Sequence, residues 1–360
     1  MSMFLQPSSL PDLVEAVRAT PRLLAMGAGT KPRLSAVDAV KLSMTHLTGV
    51  IEYEPKEFTF TALAGTPVRE IAATLAERGQ YLTFDPLLIE TGATIGGTVA
   101  AGLSGPGRFR FGGVRDFILG VRFVDGGGRL LRVGGKVVKN AAGFDLPKFF
   151  VGSLGRFGVL AEITFKVFPR PASNSTLQLP VGNAETAARI FSEAANSRWE
   201  LAALDLLPGG QAILLRLAGP AAALAEISRE ILARWPGEKL SETAAEKTWS
   251  DLREFRWAHA HGILVKAAIT PAVWPALASG LGAMGDVRVH VSAGGNLAFL
   301  SLPSAVQSTA LDDCLRRANV PAVTLRGNVP LWLGARPRPT IGQAVKEALD
   351  PQRRFPALDD

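Results

Sequence analysis

The chain has 360 residues, 47% hydrophobic and 20% charged with no long biased tract, the composition of packed globular structure and of about two ordinary domains. Its single cysteine, Cys314, excludes a disulfide framework, an iron–sulfur cluster and a thiolate zinc site within this chain, and fits a reducing compartment. The net charge of +7 reads either as a basic soluble surface or as attraction to an acidic partner or anionic membrane face; RPRP at 336–339 and Arg353–Arg354 are too small a basic block for nucleic acid.

Met1 to Leu10 lacks the basic start and apolar core of a signal peptide, and no apolar run reaches the ~20 residues of a membrane span, so a cytoplasmic location is expected. The first predicted element is a helix. Leu10, Leu13, Val14 and Val17 share one face, and Ser9 is its expected cap. A strand follows at 22–26. Thr66-Pro67 reads as the cap and first turn of a second helix carrying Val68, Ile71 and Leu75 and stopping at Gly79. Residues 118–133, ILGVRFVDGGGRLLRV, predict a β-hairpin around a glycine-rich loop. In 159–168, Val159, Ala161, Ile163, Phe165 and Val167 alternate with Glu162, Thr164 and Lys166. Pro169 and Pro171 exclude helix and central strand and mark a boundary. Beyond it, amphipathic helices at 184–196 and 221–235 interleave with strand candidates at 211–219, 262–270, 287–293 and 296–303. That pattern predicts an α+β domain with an antiparallel sheet.

Glycine is concentrated in the first half, with 18 of the 37 glycines between Gly92 and Gly158. The segment LLAMGAGTKPRL, 23–34, ends an apolar run in G-x-G. A dinucleotide fingerprint would need a third glycine opening a helix and an acidic residue about 20 positions on; Pro32 stands at the third position and no clean helix follows. Two readings remain. Gly27 and Gly29 turn successive amides inward as an anion-binding nest, with Thr30 adding a hydroxyl and Lys31 a charge, or the segment is a plain strand-ending turn. Two further glycine-rich segments, TGATIGGTVAAGLSGPGRFRFGGVRD (91–116) and KVVKNAAGFDLPKFFVGSLGRFGVLAEITF (136–165), suggest one long ligand laid across the domain.

In this order the three segments resemble the FAD-binding domain of the p-cresol methylhydroxylase (PCMH) and vanillyl-alcohol oxidase type, over about residues 1–172. Within that family VVKNAAGFDLPKFFVGSLGRFGVL is most similar to the FAD-binding subunits of bacterial glycolate oxidases. The resemblance implies an α+β fold: a two-subdomain PCMH-type FAD-binding domain at 1–171, then a smaller α+β domain with an antiparallel sheet at 172–360, serving as cap or assembly domain. It implies FAD between the two subdomains. The pyrophosphate loop would fall on Gly27, Ala28, Gly29, Thr30 and Lys31. The central segment would fall on Pro86, Thr91, Gly92, Thr94, Ile95, Gly96, Gly97, Thr98 and Gly102. Gly112, Arg115 and Asp116 would form a third element, and Gly158, Val159 and Leu160 the strand beside the isoalloxazine. Relatives that attach flavin covalently place histidine or cysteine near it; these motifs hold neither, so non-covalent FAD is expected.

Oxidation of a 2-hydroxy acid needs a base for the hydroxyl proton and a cation for the carboxylate. The histidines are His46, His259, His261 and His290. His259 and His261, two apart, would share a strand face, but two ligands are too few for a metal and none is expected. His290 alternates with Val287, Val289 and Val291, as a solvent-side or a site residue. Related catalytic dehydrogenases carry Gly-Asn-Leu-His where this chain has Gly295-Asn296-Leu297-Ala298, which puts independent catalysis in question and leaves the catalytic residues unassigned. Arg108, Arg110, Arg115 and Arg326 are candidate carboxylate or partner contacts, more simply surface charges, and Asp350–Pro351 ends a C-terminal helix. The resemblance thus implies a subunit working with a catalytic FAD-linked glycolate oxidase subunit and an iron–sulfur subunit, with peripheral attachment to the inner membrane through these partners. A self-sufficient 2-hydroxyacid dehydrogenase and an FAD-free assembly scaffold are the alternatives.

Overall fold

The computed structural model describes residues 4–135, 145–336 and 340–360, which form two compact units. The first draws on residues 1–104, 113–170 and 338–360, the second on 105–112 and 171–337. This differs from a single cut after residue 171, and the C-terminal segment shows why. Helix Thr340–Leu349 ends before Asp350–Pro351 as expected and buries Lys346, whose ammonium donates to the Arg156 carbonyl at 2.7 Å, the Phe355 carbonyl at 3.0 Å and Asp350 at 2.5 Å. Asp350 also accepts from the amides of Arg354 and Phe355. A buried ammonium needs all of these acceptors, so the segment stays with the unit that holds Arg156.

In the first unit Ser9 caps helix Leu10–Ala19, accepting from the Asp12 amide at 3.2 Å. Strand Leu23–Met26 runs parallel to Val40–Ser43, which runs parallel to Phe4–Leu5. The second layer is a five-stranded antiparallel sheet in the order Val50–Glu54, Thr59–Leu63, Val159–Lys166, Ile118–Val124, Leu130–Gly134. The last two strands form the expected hairpin, closed where Asp125 accepts from the Arg129 amide at 2.9 Å. Strand Val159–Lys166 buries Val159, Ala161, Ile163 and Phe165 as its alternation predicts. Its other face is covered too: Glu162 is buried and paired with Arg122 at 2.5 Å. Helix Val68–Ala76 corrects one expectation. Pro67, not Thr66, holds the cap position, because the Thr66 hydroxyl is spent on the Leu63 carbonyl at 2.6 Å and the Gly49 amide at 2.9 Å.

The second unit is built on a nine-stranded sheet in the order Glu238–Lys239, Ser173–Pro180, Ala212–Gly219, Leu201–Leu206, Arg288–Ser292, Leu297–Leu302, Ile263–Ala268, Pro321–Arg326, Trp332–Gly334. Every neighbouring pair is antiparallel. One face packs against helices Ala184–Ala195, Ala221–Arg234, Trp274–Gly282 and Ser308–Arg317 through a core that includes Leu204, Leu215, Val265, Val291, Ala298 and Leu300. Because side chains alternate, Asp205, Lys266, His290, Ser292 and Phe299 fall on the other face. Register sets His290 opposite Phe299, and Phe299 opposite Lys266.

Candidate functional site

The strand Leu23–Met26 runs into Gly27–Lys31 and then a single 3₁₀ turn, Pro32–Ser35, with no α-helix. The dinucleotide fingerprint is thereby excluded in favour of a turn built from backbone. Gly29 has φ +70°, a conformation glycine adopts without cost. Gly27 lies so close to Thr94 that a Cβ there would collide with the Thr94 hydroxyl, and a Cβ at Gly96 would stand 2.8 Å from the Ala64 carbonyl. Beside these close approaches lies a cleft within the first unit. One wall runs from Ala25 to Ser35; the others come from Thr94, Gly96 and Gly97, from Ser153 to Gly155, and from Gly158 and Leu160.

All five residues of the expected pyrophosphate loop line this cleft, as do Thr94, Gly96, Gly97, Gly158 and Leu160. Thr94 also caps helix Ile95–Ala101, accepting from the Gly97 amide at 3.2 Å. The other expected residues do not line it. Ile95, Thr98 and Val159 are buried in the surrounding core, and Pro86 is buried in the preceding loop. Thr91 is exposed, Gly92 has φ +94°, and Gly102 with φ +59° ends the Ile95–Ala101 helix. Gly112 belongs to the second unit. Arg115 is exposed, and Asp116 accepts from the Gly113 amide at 2.8 Å as a helix-start contact. Residues 136–144, part of the third glycine-rich segment, lie outside the described residues.

The sequence reading left Ser153, Leu154 and Gly155 off the site, although G-S-L-G stood in the third segment as a signal. Leu154 has φ +52°, uncommon for a residue with a side chain, and is held there by its amide bond to the Ala100 carbonyl at 2.9 Å. Behind this loop Arg156 is buried and donates to the carbonyls of Leu34 and Leu154, one on each side of the cleft, and to the Asp360 carbonyl at 2.7 Å. Burial lowers its pKa to about 10, against the opposing pull of Asp360. Lys31, half-buried with the Thr30 hydroxyl 2.8 Å from its ammonium, is lowered to about 8 by burial.

A concave wall of glycine amides with a partly desolvated ammonium fits an extended phosphate-bearing ligand such as FAD. Neither histidine nor cysteine lines it among the described residues. Among the described residues no group of three or more His, Cys, Asp or Glu is placed to hold a metal. His259 and His261 are not a strand pair. His259 lies ahead of strand Ile263–Ala268, its Nε2 2.9 Å from Asp286 and its Nδ1 3.1 Å from Ser301. Arg326 donates to the Gly262 carbonyl at 3.0 Å and to that of His259, and Arg110 pairs with Glu200 at 2.5 Å, so both are structural contacts within the second unit. On the sheet face turned away from the unit's four core helices Lys266 is lowered to about 8, first by burial and then by Arg108. His290 is neither on the solvent side nor free: it is buried, with Nε2 2.8 Å from Asp205.

The family model described as FAD binding domain matches residues 1–134. Glycolate oxidase subunit GlcE of Escherichia coli (strain K12) is 36% identical over 249 residues, 68% of this chain and 67% of that protein. The chain belongs to this FAD-binding oxidoreductase family. Glycolate oxidase subunit GlcD of Bacillus subtilis (strain 168) is 29% identical over 166 residues, 46% of this chain but only 35% of that longer protein. A solved alkyldihydroxyacetonephosphate synthase superposes with a TM-score of 0.72 over 97% of this chain and 74% of its own, at 16% identity, which speaks to the fold alone. FAD is the family's cofactor, and the mixed α+β architecture with antiparallel sheets is similar to that of the solved synthase.

Proposed function

We propose that this chain is the FAD-binding subunit of a glycolate oxidase type of 2-hydroxyacid dehydrogenase complex. It holds FAD non-covalently in the Gly27–Lys31 cleft and supports electron transfer or assembly beside a catalytic flavoprotein subunit and an iron–sulfur subunit. The observation that carries this reading is the cleft itself, lined by glycine-rich segments, in a chain with 36% identity to GlcE. Backbone amides of Gly27–Thr30 and the Lys31 ammonium would meet the pyrophosphate, while Gly158 and Leu160 would lie along the ring system. When bound, FAD supplies the two-electron acceptor.

Two observations favour a subunit over a self-sufficient dehydrogenase. Ala298 stands where related catalytic enzymes carry a histidine, and it packs into the helix-side core. Cys314 is buried and alone, so a cluster would belong to a partner. Among the described residues no helix is long and apolar enough to cross a membrane, so attachment to the inner membrane would be peripheral and through partners. Visible spectra of the purified chain before and after glycolate, followed by acid precipitation, test the reading. Flavin bands that leave the precipitate, bleaching only with the partner subunits present, and co-purification with them are expected. Bleaching of the solitary chain at full rate would overturn the subunit assignment, and absence of flavin would overturn cofactor binding.

A further inference from the structure

The face of the second unit's sheet turned away from its four core helices holds a buried polar cluster to which neither the fold nor the flavin cleft assigns a role. Asp205 is fully buried on strand Leu201–Leu206 and accepts from three donors: the Ser292 hydroxyl at 2.9 Å, the Ala293 amide at 3.1 Å and His290 Nε2 at 2.8 Å. A carboxylate surrounded by donors can only accept, so the proton of a neutral imidazole must sit on Nε2. Nδ1 is left as a bare lone pair. It is buried and has no hydrogen-bond partner. The ring is stacked on one side by Phe299, centroids 5.9 Å apart, which offers it no polar group.

The neighbour across the other contact is Trp257, with ring centroids 5.9 Å apart and planes at 76°. Its indole Nε1–H is also buried without an acceptor. One unsatisfied acceptor and one unsatisfied donor therefore stand on adjoining rings. Each alone would cost the desolvation of a polar group; a single bridging group removes both costs. The chemistry of that bridge is restricted. A carboxylate has no proton for Nδ1, and an ammonium cannot accept from the indole. A hydroxyl does both, donating to the imidazole lone pair and accepting from the indole N–H. Trp257 is only half-buried, so the place lies one side chain beneath the surface.

We propose that His290 Nδ1 and Trp257 Nε1 form a binding site for one hydroxyl group, with Asp205 as the positioning residue that keeps Nδ1 the acceptor. The hydroxyl comes either from a resident water or, resting on the function proposed above, from the α-carbon of a 2-hydroxy acid. The test is long-range ¹H–¹⁵N correlation on the full chain, FAD-loaded and labelled at histidine, with His290 assigned by its loss in His290→Gln. The expected result is a proton on Nε2 and a hydrogen-bonded Nδ1 that moves toward the free-lone-pair position in Trp257→Phe. A further shift with glycolate but not acetate assigns the hydroxyl to substrate; a cross-peak from solvent, unaltered by glycolate, assigns it to water. A protonated Nδ1, or an Nδ1 already at the free-lone-pair position and unmoved by Trp257→Phe and glycolate, overturns the site. Asp205→Asn is expected to move the proton to Nδ1, and if that variant does not fold, Trp257→Phe carries the decision. Flavin bleaching with partner subunits, followed separately, reports on the proposed function, so the two can fail independently.

Discussion

The cleft of the first unit and the polar cluster of the second are built from opposite materials. The cleft is made by taking side chains away: Gly27, Gly29, Gly96 and Gly155 let main chain form its walls, and among the described residues Lys31 is its one lining cation. The cluster is made by adding side chains, with Asp205 and His290 meeting across 85 residues of sequence and Phe299 stacked on the imidazole. A site made of backbone tolerates little added volume but needs few particular side chains. A site made of side chains depends on each donor and acceptor in it. The two should fail in different ways when mutated.

The largest effect is expected where the backbone site leans on one side chain. Arg156→Met leaves the carbonyls of Leu34, Leu154 and Asp360 without their donor, each unmet buried acceptor costing about 1–3 kcal/mol, so unfolding free energy in urea should fall by about 3 kcal/mol or more. Arg156→Lys retains the charge but not the fork, and should recover only part of it. A loss below about 1 kcal/mol for Arg156→Met would mean that the cleft walls hold together without it. Next comes Gly27→Val, which drives a branched side chain into Thr94 and the cleft mouth. We expect FAD affinity, followed by flavin fluorescence, to fall about 100-fold, or about 2.7 kcal/mol, while overpacking costs the fold about 1–3 kcal/mol. Unchanged affinity would move the cofactor out of this cleft.

The contrast also explains what was legible in the sequence. Glycines with a positive φ or a close neighbour leave a local mark, so MGAGTK and TGATIGG pointed to the cleft before any fold was known. Within the same motifs Ile95, Thr98 and Val159 are buried and do not line the cleft, because a motif carries packing residues together with cleft-facing ones, and alternation alone does not separate them. The strands and helices with clean periodicity, such as Val159–Lys166 and Ala184–Ala195, were readable for the usual reason that one face is apolar. What remained hidden was non-local. Nothing near Arg156 announces that it donates to the Asp360 carbonyl, and nothing near Asp205 announces His290. The valines flanking His290 showed that it points the other way, but not that the other way is also buried.

The side-chain cluster should respond to a change of one atom. Asp205→Asn keeps the shape but turns one acceptor into a donor facing the Ser292 hydroxyl, the Ala293 amide and His290. About 2 kcal/mol of stability should be lost, a value in the range for a buried donor left without its acceptor. Equal stability of the variant in denaturant would show that the cluster is solvated, against its burial.

The smallest effect sharpens the comparison most, because it isolates the charge that the glycine cleft does carry. With Lys31 near 8 in the cofactor-free fold and 10.5 as its ordinary value, the unfolded chain retains between these values a proton that the folded chain has released. Stability of the cofactor-free protein should therefore rise as pH increases from about 8 to 10.5. FAD affinity should move the opposite way, since the pyrophosphate favours the ammonium form. If only that form binds, affinity is level below pH 7 and about tenfold weaker at pH 9, equivalent to about 1.4 kcal/mol. Lys31→Met should bind more weakly at neutral pH and show neither trend. A wild-type affinity that stays level from pH 7 to 9 would mean that main-chain amides hold the phosphates unaided, which would make the contrast between the two sites complete.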